Sequence, residues 1–312
     1  MSVVYDIWRA IGTRLQEIPS LQGAEIILTS SIRDHDVQHP VVFVVGVNTA
    51  RVEPKVDRHQ FVVRIRVKDI GSIADTTVFE RILGMGADTR KTLLDNTLNS
   101  LVYGGVQIAG GGLTHDPEDP LLQEYQMTLI CDEWLDPENP ALSRLQRFYW
   151  GEPTYVNGNY GDVSWSELCR NENLSIRPWR SNVTDVWINS SIAVGNQQWG
   201  REKWVVNTHV QQLDTGLLAL FFATESEDGK VPMLHTKAEA SIIPKKAGLL
   251  VNVRSDGSFA KLYFPRMQAL LREQNQLPTM DYEWTSIYDS QYSDSWQYGI
   301  AEITDVKNPW ID

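Results

Sequence analysis

The hydrophobic pattern of the first 135 residues predicts a helix, three strands, a longer helical segment and two closing strands. Apolar side chains spaced by three and four residues, as one buried helical face requires, mark the opening helix: Val4, Ile7, Trp8, Ile11, Leu15 and Ile18. Three candidate strands follow at residues 24–29, 41–47 and 59–70. The opening segment therefore predicts one helix followed by a sheet.

The third candidate strand alternates strictly between two kinds of side chain. Apolar Phe61, Val63 and Ile65 alternate with basic residues such as Arg64 and Arg66. Successive side chains of a strand point to opposite faces of the sheet. This period of two predicts a strand with one buried face and one solvated face.

Residues 76–103 carry a second helical pattern, which Gly84 and Gly86 interrupt. Each glycine costs a helix about 1 kcal/mol relative to alanine, so the pattern predicts two helical pieces with a break between them. Strands at residues 106–108 and 125–131 close the segment. Together these elements predict an α+β domain, with an antiparallel sheet packed on two helices.

An acidic segment at residues 132–140 predicts the domain boundary, because its two prolines interrupt helices and central strands. We therefore predict a first domain at residues 1–135 and a proline-containing linker at residues 136–150. A short helix over residues 141–149 is expected within that linker. The second domain then spans residues 151–312.

The second domain is expected to be mostly β. It holds eight of the eleven tryptophans, and short apolar runs alternate with polar turns. These runs predict strands at residues 185–194, 203–211, 216–224, 248–253 and 259–264. One helix is predicted at residues 265–274, where Pro265 suits a first helical turn.

Composition and charge narrow the possible functions. The 312 residues carry 28 basic and 40 acidic side chains, a net charge of −12, and each half holds 14 basic and 20 acidic residues. Neither half has the basic excess that phosphate neutralisation needs, so specific nucleic-acid recognition is not expected. The apolar runs are far shorter than the roughly 20 residues of a spanning helix, and no signal peptide is evident. We therefore expect no membrane association.

Candidate chemical motifs are few. Asp34, His35, Asp36 and His39 could form a metal cluster, but Pro40 follows directly and the surrounding pattern favours a polar loop. Cys131 lies in an apolar strand and is most simply a small buried hydrophobe. We predict no catalytic residue, no metal ligand and no cofactor, and we do not expect an enzyme.

Charged side chains of the first domain are candidates for a subunit or tube contact. The basic row on the third strand is either a wetted sheet face or a contact for an acidic loop, such as residues 116–119, on a neighbouring subunit. Residues 48–57 are predicted to form an extended hairpin that reaches toward a partner. The candidate interface residues are Arg51, Glu53, Lys55, Arg64, Arg66 and Lys68.

The tryptophans of the second domain divide into two groups. Polar neighbours predict partial exposure, suited to a partner or a glycan, for Trp165, Trp179, Trp199 and Trp296. Trp187 and Trp204 lie within strand patterns and are expected in the core.

The order of elements in residues 1 to about 135 resembles the tail terminator and tail completion proteins of long-tailed bacteriophages. The resemblance rests on the opening helix, the apolar strand after Pro40 (Val41-Val42-Phe43-Val44) and the basic strand Arg64-Ile65-Arg66-Val67. It continues through the long helix to the closing strand Tyr125-Gln126-Met127-Thr128-Leu129. Residues 151–312 depart from the pattern of that family.

The resemblance implies a structural virion protein. A homohexameric ring would cap the tail tube and join it to the neck, with the tail tube protein, the neck or connector protein and the sheath as partners. The protein would be assembled in the host cytoplasm and lie in the virion tail near the head–tail junction. We expect the second domain to contact sheath, neck or fibre. The alternative is a carbohydrate- or receptor-binding protein of the tail or baseplate.

Overall fold

The computed structural model describes residues 3–30, 40–68, 76–115, 122–154, 160–181, 184–187, 194–198, 201–210, 245–271, 280–287 and 300–305. Within these residues the chain forms two α-helices, fifteen β-strands and three short 3-10 turns. The described residues are mostly β-strand, with only two helices beside two large sheets, so the predicted α+β class is wrong.

The first part of the chain forms a five-stranded sheet and both α-helices. The helices are α1 (Val3–Gln16) and α2 (Thr76–Leu93). The strands are β1 (Glu25–Thr29), β2 (Val41–Glu53), β3 (Val56–Lys68), β4 (Tyr103–His115) and β5 (Leu122–Trp134). Their order across the sheet is β1-β2-β3-β5-β4. All neighbours are antiparallel except β1 and β2, which run parallel.

One face of this sheet packs on the helices. Ile7, Ile11 and Leu15 of α1 and Ile82 of α2 are fully buried in one core with the apolar residues of the sheet, where α1 packs on β1 and β2 and α2 packs on β3 and β5. The alternation along β3 is as predicted, with Phe61, Val63, Ile65 and Val67 buried. These side chains stabilise the sheet by removing apolar area from water.

The second helix is continuous across the predicted break. Gly84 faces open space, whereas a Cβ at Gly86 would lie 2.7 Å from the ring of Tyr125 on β5. Gly86 therefore lets α2 approach the sheet closely. The prediction of two helical pieces is therefore wrong. It took the glycines as the site of a kink, whereas Gly86 allows α2 to pack closely on the sheet.

The second part of the chain forms a larger antiparallel sheet. The strands described before residue 211 are β6 (Leu142–Gly151), β7 (Ser166–Arg170), β8 (Leu174–Ser181), β9 (Thr184–Trp187), β10 (Val194–Gln198) and β11 (Arg201–Val210). Those after it are β12 (Lys246–Arg254), β13 (Phe259–Leu271), β14 (Met280–Ser286) and β15 (Ile300–Thr304). The strand path is β7-β6-β12-β13-β14-β11-β8, with β15 paired to β13, while β9 and β10 form a separate hairpin.

This eight-stranded sheet is curled and carries a core on each face. Strand β7, at one end of the path, contacts β11 near the other end. One core includes Phe148, Leu250 and Trp284, while the other includes Tyr149 and Leu249. Neighbouring residues of β6 and β12 thus point into different cores, and nearly every residue of β12 is buried.

Two predicted helices of this region are strands. Residues 141–149 lie largely in β6, and residues 265–271 belong to β13. In β13 Met267 and Ala269 are buried while Arg266 and Gln268 are half-buried, which is the period of a strand. Pro265 lies where the register between β12 and β13 shifts, a position at which a strand tolerates proline.

Polar contacts join the two sheets. Arg144 of β6 donates to Asp95 at 2.8 Å, and the Asn171 side-chain amide donates to the other oxygen of the same carboxylate at 3.0 Å. The Tyr103 hydroxyl donates to the carbonyl of Leu142 at 2.9 Å. Asp95 is thus the central acceptor of this junction.

Candidate interaction surfaces

The basic side chains of β3 form ion pairs within their own chain. Arg66 Nε lies 2.5 Å from Glu124 Oε2 of β5, and Arg64 Nη1 lies 3.5 Å from Oε1. Thr114 of β4 also donates to Glu124, at 3.2 Å. Lys68 is half-buried at the end of the same strand. These contacts tie three strands together across the face of the sheet that lies opposite the helices.

This arrangement limits what the row can offer a partner. Glu124 is only 7% exposed, so its charge needs the two guanidinium groups that face it. The Arg66 guanidinium also lies over the Phe43 ring, 5.4 Å from its centroid. Arg66 is therefore committed to contacts within the chain, and reversing its charge would disturb the fold as well as any surface.

The predicted extended hairpin is present as paired strand. Residues 48–53 belong to β2 and residues 56–57 to β3, so only Pro54 and Lys55 form the turn. The side chains of Arg51, Val52, Glu53 and Lys55 are exposed. We call these four residues the hairpin tip.

Ion pairs and hydrogen bonds hold the hairpin tip in one geometry. Arg51 pairs with Asp57, and Lys55 pairs with Asp136, which lies just beyond β5. The Leu135 N–H donates to the Lys55 carbonyl at 2.9 Å. The hydrogen bond from Arg51 lowers the pKa of Asp57, and the Lys55 ammonium lowers that of Asp136. Both carboxyl groups are therefore ionised at neutral pH.

A buried histidine bridges three strands behind the tip. His59 Nδ1 lies 3.0 Å from the Thr49 hydroxyl of β2, and its Nε2 lies 3.0 Å from Glu133 Oε2 of β5. The ring is buried, so its nitrogens contact these side chains instead of water. Arg58 adds two hydrogen bonds to Asp132, at 2.8 and 2.9 Å. The base of the hairpin is thus pinned on both faces of the sheet.

A cleft of about 710 Å³ lies between the two parts of the chain. The ends of both α-helices, the segment before β4 and several strands of the curled sheet line it. Its charged side chains are Arg14, Lys91, Arg147, Arg170, Asp95 and Asp305. Arg14 pairs with Glu17 at 2.9 Å, and Glu167 pairs with both Arg147 and Arg170, so most of the positive charge of the cleft is matched within the chain.

The wall of this cleft contains unusual backbone. Asp95, Leu98, Asn99 and Ser100 all have positive φ, between 49° and 67°. This left-handed region is costly for residues other than glycine, and such residues concentrate where structure is held for binding. The Asp95 carboxylate is fixed by Arg144 and Asn171, and Asp95 N–H donates to the Val106 carbonyl at 2.9 Å. The loop is therefore anchored to both sheets.

The predicted exposed tryptophans are only partly within the described residues. Trp165 is half-buried, its indole N–H donates to the Tyr160 carbonyl at 3.0 Å, and it packs edge-on against Tyr263. Trp199 and Trp296 lie outside the described residues, as does the side chain of Trp179. The placement of Trp204 in the core is wrong, since it is 39% exposed.

The remaining chemical candidates are the two cysteines and the Asp/His cluster of residues 34–39. Cys131 and Cys169 are free and buried, and burial raises the pKa of each thiol to about 12. Asp34, His35, Asp36 and His39 lie outside the described residues. Among the residues with assigned positions, no group of three or more His, Cys, Asp or Glu side chains could hold a metal ion. No described helix is long and apolar enough to span a membrane.

Comparison with known protein families and with curated proteins finds no match for this chain. Function is therefore argued from its own surfaces. Of these, the cleft was missed by sequence reasoning, because its cations come from distant segments that converge only in the fold. The one local signal was the polar run at residues 95–100, which contains Asn96, Asn99 and Ser100.

Proposed function

We propose that this chain is a structural virion protein. In this proposal it caps a phage tail tube as a homohexameric ring and joins the tail to the neck. The fold class that the resemblance implied is wrong, so the proposal is supported by a surface of the molecule, the hairpin tip. The second part of the chain contacts sheath, neck or fibre in this arrangement.

The hairpin tip has the properties of a preorganised protein contact. Val52 is 42% exposed between charged neighbours, at the end of paired strands. All 13 residues of β3 pair with β5, and ion pairs hold Arg51 and Lys55. The tip is therefore already ordered before a partner binds.

The alternative of glycan binding has no comparable support. A glycan platform needs exposed aromatic faces, whereas Trp165 is half-buried and is engaged by Tyr263 and Tyr160. Trp204 is 39% exposed, but its ring packs against Phe264. An exposed tip with both apolar and charged side chains suits a protein partner better.

The test uses the full chain and isolated tail tubes. Electron microscopy of the purified chain should show closed rings, and these rings should bind one end of the tubes. A Val52→Asp/Lys55→Glu variant should lose tube binding while its circular dichroism spectrum and melting temperature stay near those of the wild type. Glu80→Lys, an exposed change on α2, is the control and should bind normally. Normal tube binding by the tip variant, or a chain that stays monomeric, would contradict the proposal.

A further inference from the structure

The five-stranded sheet has two outer edges with which no described strand pairs. Strand β1 ends the sheet on one side and β4 ends it on the other. The Glu25 N–H donates to a carbonyl on the β2 side at 3.0 Å, so Ile26 and Leu28 direct their backbone groups to the outer side. Residues 95–96 hydrogen-bond to Val106 and cover the first part of β4, so its open stretch begins after that residue. The backbone groups of a sheet edge are a template for a further strand.

The two edges lie at the same height of the sheet. Five rows of paired residues cross all the strands, and each row begins on β1 and ends on β4. The row of Ile27, for example, ends at Gly112, and the row of Leu28 ends at Gly111. Strands β1 and β4 also run in opposite directions. The β1 edge of one copy can therefore meet the β4 edge of another as an antiparallel pair, without a shift along the strands.

Exposed apolar side chains of the first helix flank the β1 edge. A Cβ at Gly12 of α1 would lie 3.1 Å from the Leu28 side chain, so this face of α1 is turned toward β1. Tyr5 lies two turns before Gly12 on the same face. Both Tyr5 and Leu28 are exposed, so the β1 edge carries apolar area that a neighbouring copy could cover.

The second helix places exposed apolar side chains beside the β4 edge in the same way. Gly86 of α2 lies over the ring of Tyr125, and the Tyr125 hydroxyl lies 3.2 Å from the position that a Cβ at Gly111 of β4 would take. The Gly86 face of α2 is therefore turned toward β4. Phe79 lies two turns before Gly86 on this face, and both Phe79 and Leu83 are exposed. Covering these side chains would remove apolar area from water.

We propose that the β1 edge of one copy pairs with the β4 edge of the next, so that the sheet and its helix layer continue from subunit to subunit. Charge favours this contact in a chain of net charge −12, because residues 103–114 carry no charged side chain and β1 carries only Glu25. The edges therefore meet without like charges opposite each other. Such a contact between two different surfaces closes into a ring when the rotation between subunits allows. The inference rests on the proposed ring for its biological meaning and identifies the subunit contact that would build it.

Engineered disulfides test the contact in the full chain. Ile27→Cys/Gly112→Cys places two thiols on one row but four strand spacings apart, roughly 19 Å at about 4.8 Å per spacing. A disulfide within one chain cannot span that distance. Mild oxidation should therefore link different copies into a ladder of oligomers on a non-reducing gel, whereas the wild type, whose own cysteines are buried, should give none. Ile27→Cys/Gly110→Cys covers a shift of two residues, and the absence of a ladder from both variants would overturn the inference.

Single cysteine variants show which edges meet. A mixture of Ile27→Cys and Gly112→Cys should form dimers and nothing larger, because each chain then carries one engineered thiol. Neither variant should form dimers alone. Dimers of Gly112→Cys alone would mean that β4 pairs with β4 of another copy, which would overturn the inference.

A charge on the open edge should block the contact. Gly112 has no atom within 4 Å of its Cβ position, so Gly112→Glu should fold normally, while its carboxylate would lie near Glu25 of the neighbouring copy. Self-association in sedimentation velocity should weaken by at least about tenfold. Gly84→Glu, on the exposed surface of α2 and equally free of close atoms, is the matched control and should assemble like the wild type. Unchanged assembly of folded Gly112→Glu would overturn the inference.

The same variants distinguish failure of the inference from failure of the proposed ring. Closed rings in electron micrographs that give no ladder with either double cysteine variant would overturn the edge contact and leave the ring intact. Ladders from a chain that forms no closed ring would support the edge contact and contradict the ring. A monomeric wild type whose double cysteine variants give no ladder would contradict both.

Discussion

The two sheets of this protein use their faces differently. The five-stranded sheet buries one face under α1 and α2, and its opposite face carries ion pairs such as Arg66–Glu124 beside a small apolar cluster of Val41, Phe43 and Leu122. The curled sheet has an apolar core on each face, with β12 between them. The first sheet can therefore present charge and a hairpin tip to partners, while the middle of the second is committed to packing.

The largest expected effect tests the packing role of the curled sheet. Trp284 is fully buried, contacts Phe148 and Trp150, and donates its indole N–H to the Thr208 hydroxyl at 3.1 Å. Trp284→Ala should lower the free energy of unfolding by about 3–5 kcal/mol, from lost burial and the cavity left behind. Urea denaturation measures this loss. Trp204→Ala, which removes a 39% exposed ring, is the matched control and should cost far less.

A loss of less than about 1 kcal/mol at Trp284 would contradict a closely packed second core. If both tryptophan variants lost the same stability, the contrast between the interior and the surface of the curled sheet would also be wrong.

Two neighbouring glycines of α2 provide the next test, on the helix-covered face of the first sheet. Gly84→Ala meets no atom within 4 Å and should stabilise the chain by about 0.5–1 kcal/mol through helix propensity. Gly86→Ala would place its Cβ 2.7 Å from the Tyr125 ring and should destabilise by about 1–3 kcal/mol. The melting temperature should thus rise for Gly84→Ala and fall for Gly86→Ala. A stabilising Gly86→Ala would mean that α2 does not pack closely on β5.

These glycines also show what the sequence can and cannot predict. The helical pattern over residues 76–93 correctly places α2, but only the fold shows that Gly86 faces Tyr125. Similarly, the alternation of β3 is visible locally because one face is solvated. In the curled sheet both faces of β12 are apolar, so period two is masked and strand can be confused with helix.

The predicted interface residues differ in their exposure. Arg51, Glu53 and Lys55 are exposed at the hairpin tip, whereas Arg64 and Arg66 face Glu124 of their own chain. A basic row in one strand has no local signal for the acidic partner that a distant strand contributes. The cleft was missed for the same reason, since Lys91 and Arg170 meet only through tertiary packing.

The two cysteines report separately on the two sheets. Cys131 lies on β5, between β3 and β4, whereas Cys169 lies on β7, at an end of the curled-sheet path. With each pKa raised to about 12 by burial, both thiols should react slowly with iodoacetamide at pH 8. Local opening is easier at an edge strand, so Cys169 should be labelled at least about tenfold faster in native buffer. Peptide mass spectrometry measures both rates, and equal rates would contradict the assignment of β7 as the less protected strand.

The smallest expected effect is the response of the hairpin tip to acid. Pairing with Arg51 and Lys55 lowers the pKa of Asp57 and Asp136 below the ordinary value of 3.8. The two pairs therefore stabilise the folded tip above about pH 4, and that stabilisation is lost as the pH falls through the lowered pKa values. Exchange of the Leu135 amide, which bonds to the Lys55 carbonyl, should accelerate below that range, with global unfolding followed in parallel. Lys55→Met should abolish the share of this acceleration that comes from protonation of Asp136. If the Leu135 amide of the wild type and of the variant responded identically to acid, the Lys55–Asp136 pair would not order the tip.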